Sequence, residues 1–227
     1  MDLFGCLLQS NCFVHGRFFS STPTIAPKVV SSLPIYLASQ SPRRLELLQF
    51  LPVSVTLLLP QAHEDPEALE SSRDNESPSD YVTRVVQAKA QAALARMHAQ
   101  SLEPRPILVA DTTVALGGKI LGKPKDADEA CNMLQLLSGR RHRVISAVAC
   151  VKTTGRVVMR HEVSKVWFAR LRDAEIKAYV ATGDPMDKAG AYGIQGKAGS
   201  FVRRIEGTQS GIMGLPLYLT AKVLGLR

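Results

Sequence analysis

Cysteine is scarce in this 227-residue chain. The four present, Cys6, Cys12, Cys131 and Cys150, form no CxxC pair and have no histidine partner at metal-ligand spacing. That excludes a zinc module and leaves scattered free thiols in a reducing compartment. Aromatic residues make up 6%, with one Trp, and no helix-turn-helix or RNA-recognition motif is visible. Little is therefore available for stacking on bases. No apolar run approaches the ~18 residues of a membrane span. A P-loop and a GxGxxG are both missing, so an ordinary kinase, an ATPase or a dinucleotide-binding fold has no support. Ser-His-Asp catalysis lacks its nucleophile elbow. His63, His98, His142 and His161 share no ligand spacing and read as surface or structural residues. There is no internal repeat and no heptad pattern.

What is present is an ordinary globular balance, 45% hydrophobic and 21% charged, in a chain long enough for one domain and an appendage. The net charge is +8, and residues 140–172 carry nine basic residues against the single acid Glu162. Such a stretch either neutralises an anionic partner or forms a solvated basic face. Residues 1–32 differ from the rest. They are acid-poor, with a Ser/Thr/Pro cluster, and read as an extension that is disordered or belongs to a start assigned too far upstream. The basic n-region of a secretory signal is missing, and the arginines of a transit peptide are few. A cytoplasmic location is the expectation, with organelle targeting by the extension as its alternative. The folded domain is expected over 33–227.

Within that domain, 35–38 reads as a buried strand, and Ser41-Pro42 opens a helix over 43–50 as cap and first-turn proline. Residues 53–59 read as a strand and 61–80 as an acidic surface loop. The apolar spacing of Val82, Val85, Val86, Ala93 and Met97 predicts a helix over 81–98, capped at Ser79. Lys89 falls on its apolar stripe and needs an anionic partner or a snorkelling exit. A strand over 107–116 turns at Gly117-Gly118 into 119–121. Asp126-x-x-Glu129 starts a helix that Ser138-Gly139 ends. Strands over 144–151 and 156–168, a helix over 173–181, a Gly-rich loop over 190–199, a strand over 201–205 and a helix over 217–226 complete the chain. Strands and helices mix without a strict βαβ rhythm, which points to α/β with a mixed sheet.

Four constellations could carry chemistry. Ser39-Gln40-Ser41-Pro42-Arg43-Arg44 joins a strand to a helix and offers an anion site with two bidentate donors, or only a capped helix with solvated arginines. Asp111 ends the apolar run 107–110, where a carboxylate needs a charge partner, a metal or a bond to Thr112 or Thr113. Lys123, in Gly122-Lys123-Pro124, is solvated if alone. With Lys89, Arg43 and Arg44 it would make a triphosphate-sized positive pocket around Asp111. The stretch 183–196 interleaves glycines with Asp184, Asp187, Lys188, Tyr192 and Gln195. It is either a turn-rich loop or one where backbone approaches a ligand while the Gln195 amide matches the edge of a pyrimidine.

Leu37-Ala38-Ser39-x-Ser41-Pro42-Arg43-Arg44, Ala110-Asp111-Thr112, Lys123-Pro124 and the run from Asp187 to Gly196 stand together in one order. In this the chain resembles the Maf family of nucleoside triphosphate pyrophosphatases, from about Ile35 to the C-terminus. The Gly193-Ile194-Gln195-Gly196 form is similar to the branch that hydrolyses dTTP and UTP rather than 7-methyl-GTP. The resemblance implies a Maf/ITPase-like α/β fold, an elongated mixed sheet with flanking helices and two lobes around a cleft, often in a homodimer. It implies a divalent metal, Mg or Mn, and hydrolysis to monophosphate and pyrophosphate. By the same resemblance Asp111 matches the proton acceptor, and Glu64, with Asp65 as its rival, an acid near the metal. Arg43, Thr112 and Gln195 match base-choosing positions; Arg44, Lys89 and Lys123, with Ser39 beside them, match the phosphate-binding side. The competing reading is a nucleic-acid-binding protein using 140–172, whose binding would weaken steeply with salt.

Overall fold

The computed structural model describes residues 32–227. The reading of 1–32 as an extension therefore lies, Ser32 apart, outside the described residues. Seven strands form one mixed sheet, in the spatial order 53–57, 33–37, 107–116, 141–151, 157–168 and 202–206, with 119–121 also paired to 107–116. β1 (Leu33–Leu37) lies parallel to both β2 (Val53–Leu57) and β3 (Ile107–Leu116). β4 (Lys119–Leu121), β5 (Arg141–Val151), β6 (Val157–Phe168) and β7 (Val202–Glu206) continue it antiparallel.

β3 organises the molecule. One of its edges pairs with β5 without a break from Ile107 to Ala115. The other takes β1 only as far as Leu108 and β4 only from Val114. Residues 109–113 thus have no strand partner on that edge, and Asp111 and Thr112 sit in the gap.

The gap also separates two lobes. Before it, Ile107 and Val109 pack under α2 (Pro78–Ala99), while Leu108 and Ala110 pack on the opposite face with α1 (Pro42–Leu48) and α6 (Leu217–Leu224). After it, Val114 joins a second core with α3 (Ala127–Leu137), α4 (Asp173–Val180), Phe168, Tyr192 and Phe201. The period-2 alternation of a strand lets β3 serve both faces.

α2 buries Val82, Val85, Val86, Ala90, Ala93 and Met97 at helical spacing. Burying side chains of the Val size contributes roughly 1.5–3 kcal/mol each, before the entropy of ordering them. The helix starts earlier than its periodicity suggests: Ser77, not Ser79, is the cap, with its oxygen accepting from the Asp80 N–H. Pro78 explains the difference, because its fixed φ suits the first helical position and its missing N–H costs nothing there. β5 begins at Arg141 rather than 144, which carries His142 into the second core at 1% exposure. A short helix α5 (Gln209–Ile212), capped by Thr208, has no clear periodicity in so few residues. Among the described residues no helix is long and apolar enough to cross a membrane.

Candidate active site

The gap in the β3 edge opens into a cavity of about 730 Å3, and Ser39, Arg43, Arg44, Glu64, Lys89, Asp111, Thr112, Lys123 and Gln195 all lie on its wall. Their positions follow from the elements that carry them. Lys89 sits one turn after Val85 on the buried stripe of α2, so the helix packing aims it at the sheet. Its Nζ donates to Asp111 Oδ1 at 2.6 Å and to Glu70 Oε1 at 2.7 Å. Lys123, just past β4, reaches the other oxygen of Glu70 at 3.3 Å. Asp111 is 6% exposed and meets its need for compensation through Lys89 rather than through Thr112 or Thr113.

Glu70 was not singled out by the sequence. The only pointer was indirect: an inward lysine demands an acid, and 61–80 is the acid-rich segment. A short 3-10 turn over Ala68–Glu70 presents it. Tyr81 donates its hydroxyl proton to the Glu70 carbonyl at 2.8 Å, and Arg84 holds the Ser71 carbonyl at 2.9 Å while pairing with Glu76 at 2.6 Å. Burial pushes the Glu70 carboxyl up, but the ammonium charges of Lys89 and Lys123 outweigh it and leave the pKa below the ordinary value.

Glu64 occupies the same cavity wall in a different setting. Arg96 grips its carboxylate through Nε at 2.7 Å and Nη2 at 2.5 Å, and the Gln61 N–H adds a third bond. These bonds hold its pKa down to about 2. The structure thus does not bring Glu64 onto Lys89 beside Asp111; Glu70 stands there. Asp65, its rival, accepts from the Glu67 and Ala68 N–H groups and shapes the turn that carries Glu70.

Arg44 is fixed by Ser39 Oγ and the Gly214 carbonyl, both at 3.0 Å. Burial lowers its pKa and the charges of Asp111 and Glu70 raise it, yet a guanidinium stays protonated throughout. Ser41 stands at the cap position of α1, but its side chain makes no cap bond. The Ser41 N–H goes to Ser39 Oγ instead. Arg43 crosses the cavity mouth to Asp187 at 3.0 Å.

On the far wall Lys188 donates to Asp187 Oδ1 and to the Asp184 carbonyl and is ion-paired with Asp184 Oδ1. Tyr179 donates to the other Asp184 oxygen at 2.6 Å. Gly190 has φ +69°, and a Cβ there would meet Val114 at 2.9 Å. Only glycine can turn the chain against β3 at that point. At Gly193 a Cβ would meet the Lys188 stem at 2.8 Å, so the loop carrying Gln195 is seated on Lys188.

Among the described residues no group of three or more His, Cys, Asp or Glu side chains could hold a metal ion. Asp111 and Glu70 converge on the Lys89 ammonium, each through one oxygen, and each keeps oxygen lone pairs for a further cation. Two carboxylates, completed by water and phosphate oxygens, suit a hard divalent cation.

A family model described as Maf-like protein matches residues 34–226. A protein of Ralstonia nicotianae named dTTP/UTP pyrophosphatase is 54% identical over 202 residues, 89% of this chain and 96% of its own. One of the same name from Cupriavidus pinatubonensis is 55% identical over 192 residues, 84% of this chain and 94% of its own. Among solved structures, a HAM1 protein from Coxiella burnetii superposes with a TM-score of 0.44 at 19% identity, over 86% of this chain and all of that one. With a match over nearly all the described residues and relatives above half identity, the chain belongs to the Maf family.

Proposed function

We propose that this protein hydrolyses dTTP and UTP to the monophosphate and pyrophosphate, in the cytoplasm. The observation that carries this reading is Lys89 held between Asp111 and Glu70 at the β3 gap, with Arg44 and Lys123 on the same wall. Pyrophosphate release requires an oxygen–phosphorus bond to form at the α-phosphate and the α–β bridge to break, with the bridging electron pair leaving on pyrophosphate. Asp111 is the acceptor for the proton of the attacking water, since it offers a buried carboxylate whose second oxygen is not held by Lys89. Two of the three N–H donors of Lys89 are taken, which leaves one for a phosphate oxygen. Arg44, fixed by Ser39, and Lys123 supply the remaining positive charge for a loose anionic transition state. A divalent cation, Mg or Mn, would be held by Asp111 and Glu70 and would neutralise phosphate charge. Thr112, Gln195 and Arg43, which line the same cavity, are the base-reading residues of this proposal, and the names of the relatives point to thymine and uracil.

The basic stretch 140–172 becomes β5, β6 and the start of the next loop, and part of its charge is spent internally. Arg143 donates to the Gly117 carbonyl, Lys165 pairs with Glu206 and Arg172 with Glu175. Neither relative named above is described as binding nucleic acid. The test is a panel of nucleoside triphosphates with Mg²⁺ or Mn²⁺, with pyrophosphate and orthophosphate measured separately. Pyrophosphate from dTTP and UTP is expected; orthophosphate alone, or no turnover, would overturn the reading.

A further inference from the structure

Thr112 and Ser146 face each other across β3 and β5, and their hydroxyl oxygens are 2.7 Å apart. Either could donate in that pair taken alone. The next bond decides it. Ser146 Oγ lies 2.7 Å from the Gly211 carbonyl, which can only accept, so the single Ser146 proton is spent there. Ser146 must then accept from Thr112. Thr112 in turn has given away its only proton and keeps lone pairs alone for the cavity it lines.

Ser146 is fully buried, so water cannot replace either partner. Gly211 is itself held in place: Thr208 caps α5 by accepting from its N–H at 3.0 Å, and its carbonyl also accepts from the Gly214 N–H at 3.1 Å. A buried one-way chain therefore runs from the cavity to Gly211.

We propose that Ser146 is a specificity-positioning residue, which fixes Thr112 as a pure acceptor and so selects a base edge carrying a ring N–H. The inference rests on the proposed action on dTTP and UTP. Uracil and thymine present an N–H at ring position 3, flanked by carbonyls that a Gln195 amide can donate to. Cytosine presents a bare nitrogen at that position and would meet a lone pair with a lone pair. Nothing needs to touch Ser146 for this to operate; its effect reaches the base only through Thr112.

The experiment is kcat/KM for UTP and for CTP, on the wild type, Ser146→Ala, Thr112→Val and the double variant, each with a thermal melt. Ser146→Ala frees the Thr112 hydroxyl to rotate and donate, so the UTP:CTP ratio should fall by roughly tenfold or more, since an unpaired buried polar group carries a cost of that order. In the Thr112→Val background the same change should leave the ratio where it stands. A folded Ser146→Ala with an unchanged ratio, or an equal fall in both backgrounds, overturns the proposal. If Ser146→Ala does not fold, Ser146→Cys gives the same reading, because a thiol is a poor donor and acceptor of similar size. A wild type with no preference for UTP over CTP would instead defeat the reading of the substrate, before Ser146 is altered.

Discussion

Two lysines in the cavity each sit between two carboxylates, and they are not equivalent. Lys188 takes its partners from its own segment, Asp184 and Asp187, within four residues of chain. Three oxygens of that segment surround its ammonium within 3.1 Å, counting the Asp184 carbonyl, and Gly193 rests on its stem. Lys89 gathers Glu70 and Asp111 from 19 and 22 residues away, with Lys123 behind Glu70, and keeps a donor to spare. A lysine enclosed by oxygens of its own segment holds a loop in shape. One assembled from four separate elements, with an unused donor facing a cavity, is placed for a ligand.

The largest effect that would test this contrast is at Asp111. Asp111→Asn keeps the size and most of the hydrogen bonding, and should lower kcat on dTTP by about 10²–10⁴-fold, the span expected for a lost general base. Folding should survive in a melt of the same preparation. More than about a tenth of wild-type kcat in a folded variant would remove Asp111 from the chemistry and turn attention to Asp184 or Asp187.

Paired lysine variants break or sharpen the comparison directly. Lys89→Met should cost about 10²–10³ in kcat/KM, as for the loss of one donor to a developing anion. Lys188→Met should act first on stability, by about 1–3 kcal/mol, because it strips three acceptors of their partner. Equal losses of rate with equal shifts in Tm would erase the distinction.

The lobe that holds Lys188 also buries a histidine, His142. Burial holds His142 down to about 4, against an ordinary value of 6.5. Between those two pH values the unfolded chain binds a proton that the folded chain refuses, so this stability is complete above pH 6.5 and is lost as pH falls toward 4. The loss is on the order of 3 kcal/mol. It should appear as a fall in Tm across that window, and His142→Asn should flatten the slope; parallel slopes would contradict it.

The smallest effects concern base against phosphate. Gln195→Ala should narrow the preference for dTTP and UTP over purine nucleotides by roughly tenfold, the value of one lost buried hydrogen bond. Lys123→Ala should weaken all triphosphates alike, since phosphates carry no base information. If Gln195→Ala leaves the purine-to-pyrimidine ratio unchanged, Gln195 does not read the base.

Much of this arrangement is legible in the chain because it is local or periodic. The 3.6-residue spacing of α2 puts Lys89 on the inner face, and the apolar run before Asp111 fixes β3. Ser77-Pro78 is as plain a helix start as Ser41-Pro42, but the stripe drew attention to Ser79, which is polar and closer to the first apolar residue. Glu64 and Glu70 illustrate the other kind of difficulty. Both are acids of one irregular loop, and no periodicity tells which one turns inward. Arg96 captures the first, while Tyr81 and Arg84 hold the backbone that delivers the second. Ser146 is equally silent, an ordinary small residue in an apolar strand until its partner across the ladder is known.

By itself the sequence determined the elements, the mixed α/β class and most of the charged side chains on the cavity wall, because hydrophobic period, proline caps and glycine turns act within a few residues. It also determined Lys188's partners, which are its neighbours in the chain. The tertiary structure alone decided that β1 stops and β4 starts on the same edge of β3, leaving Asp111 and Thr112 in the gap between them. It alone decided which acid faces Lys89 and which way the Thr112 proton points. The last two choices depend on pairing between residues 19 to 65 positions apart, where the cost of closing the chain is met by the packing of both lobes and not by any local preference.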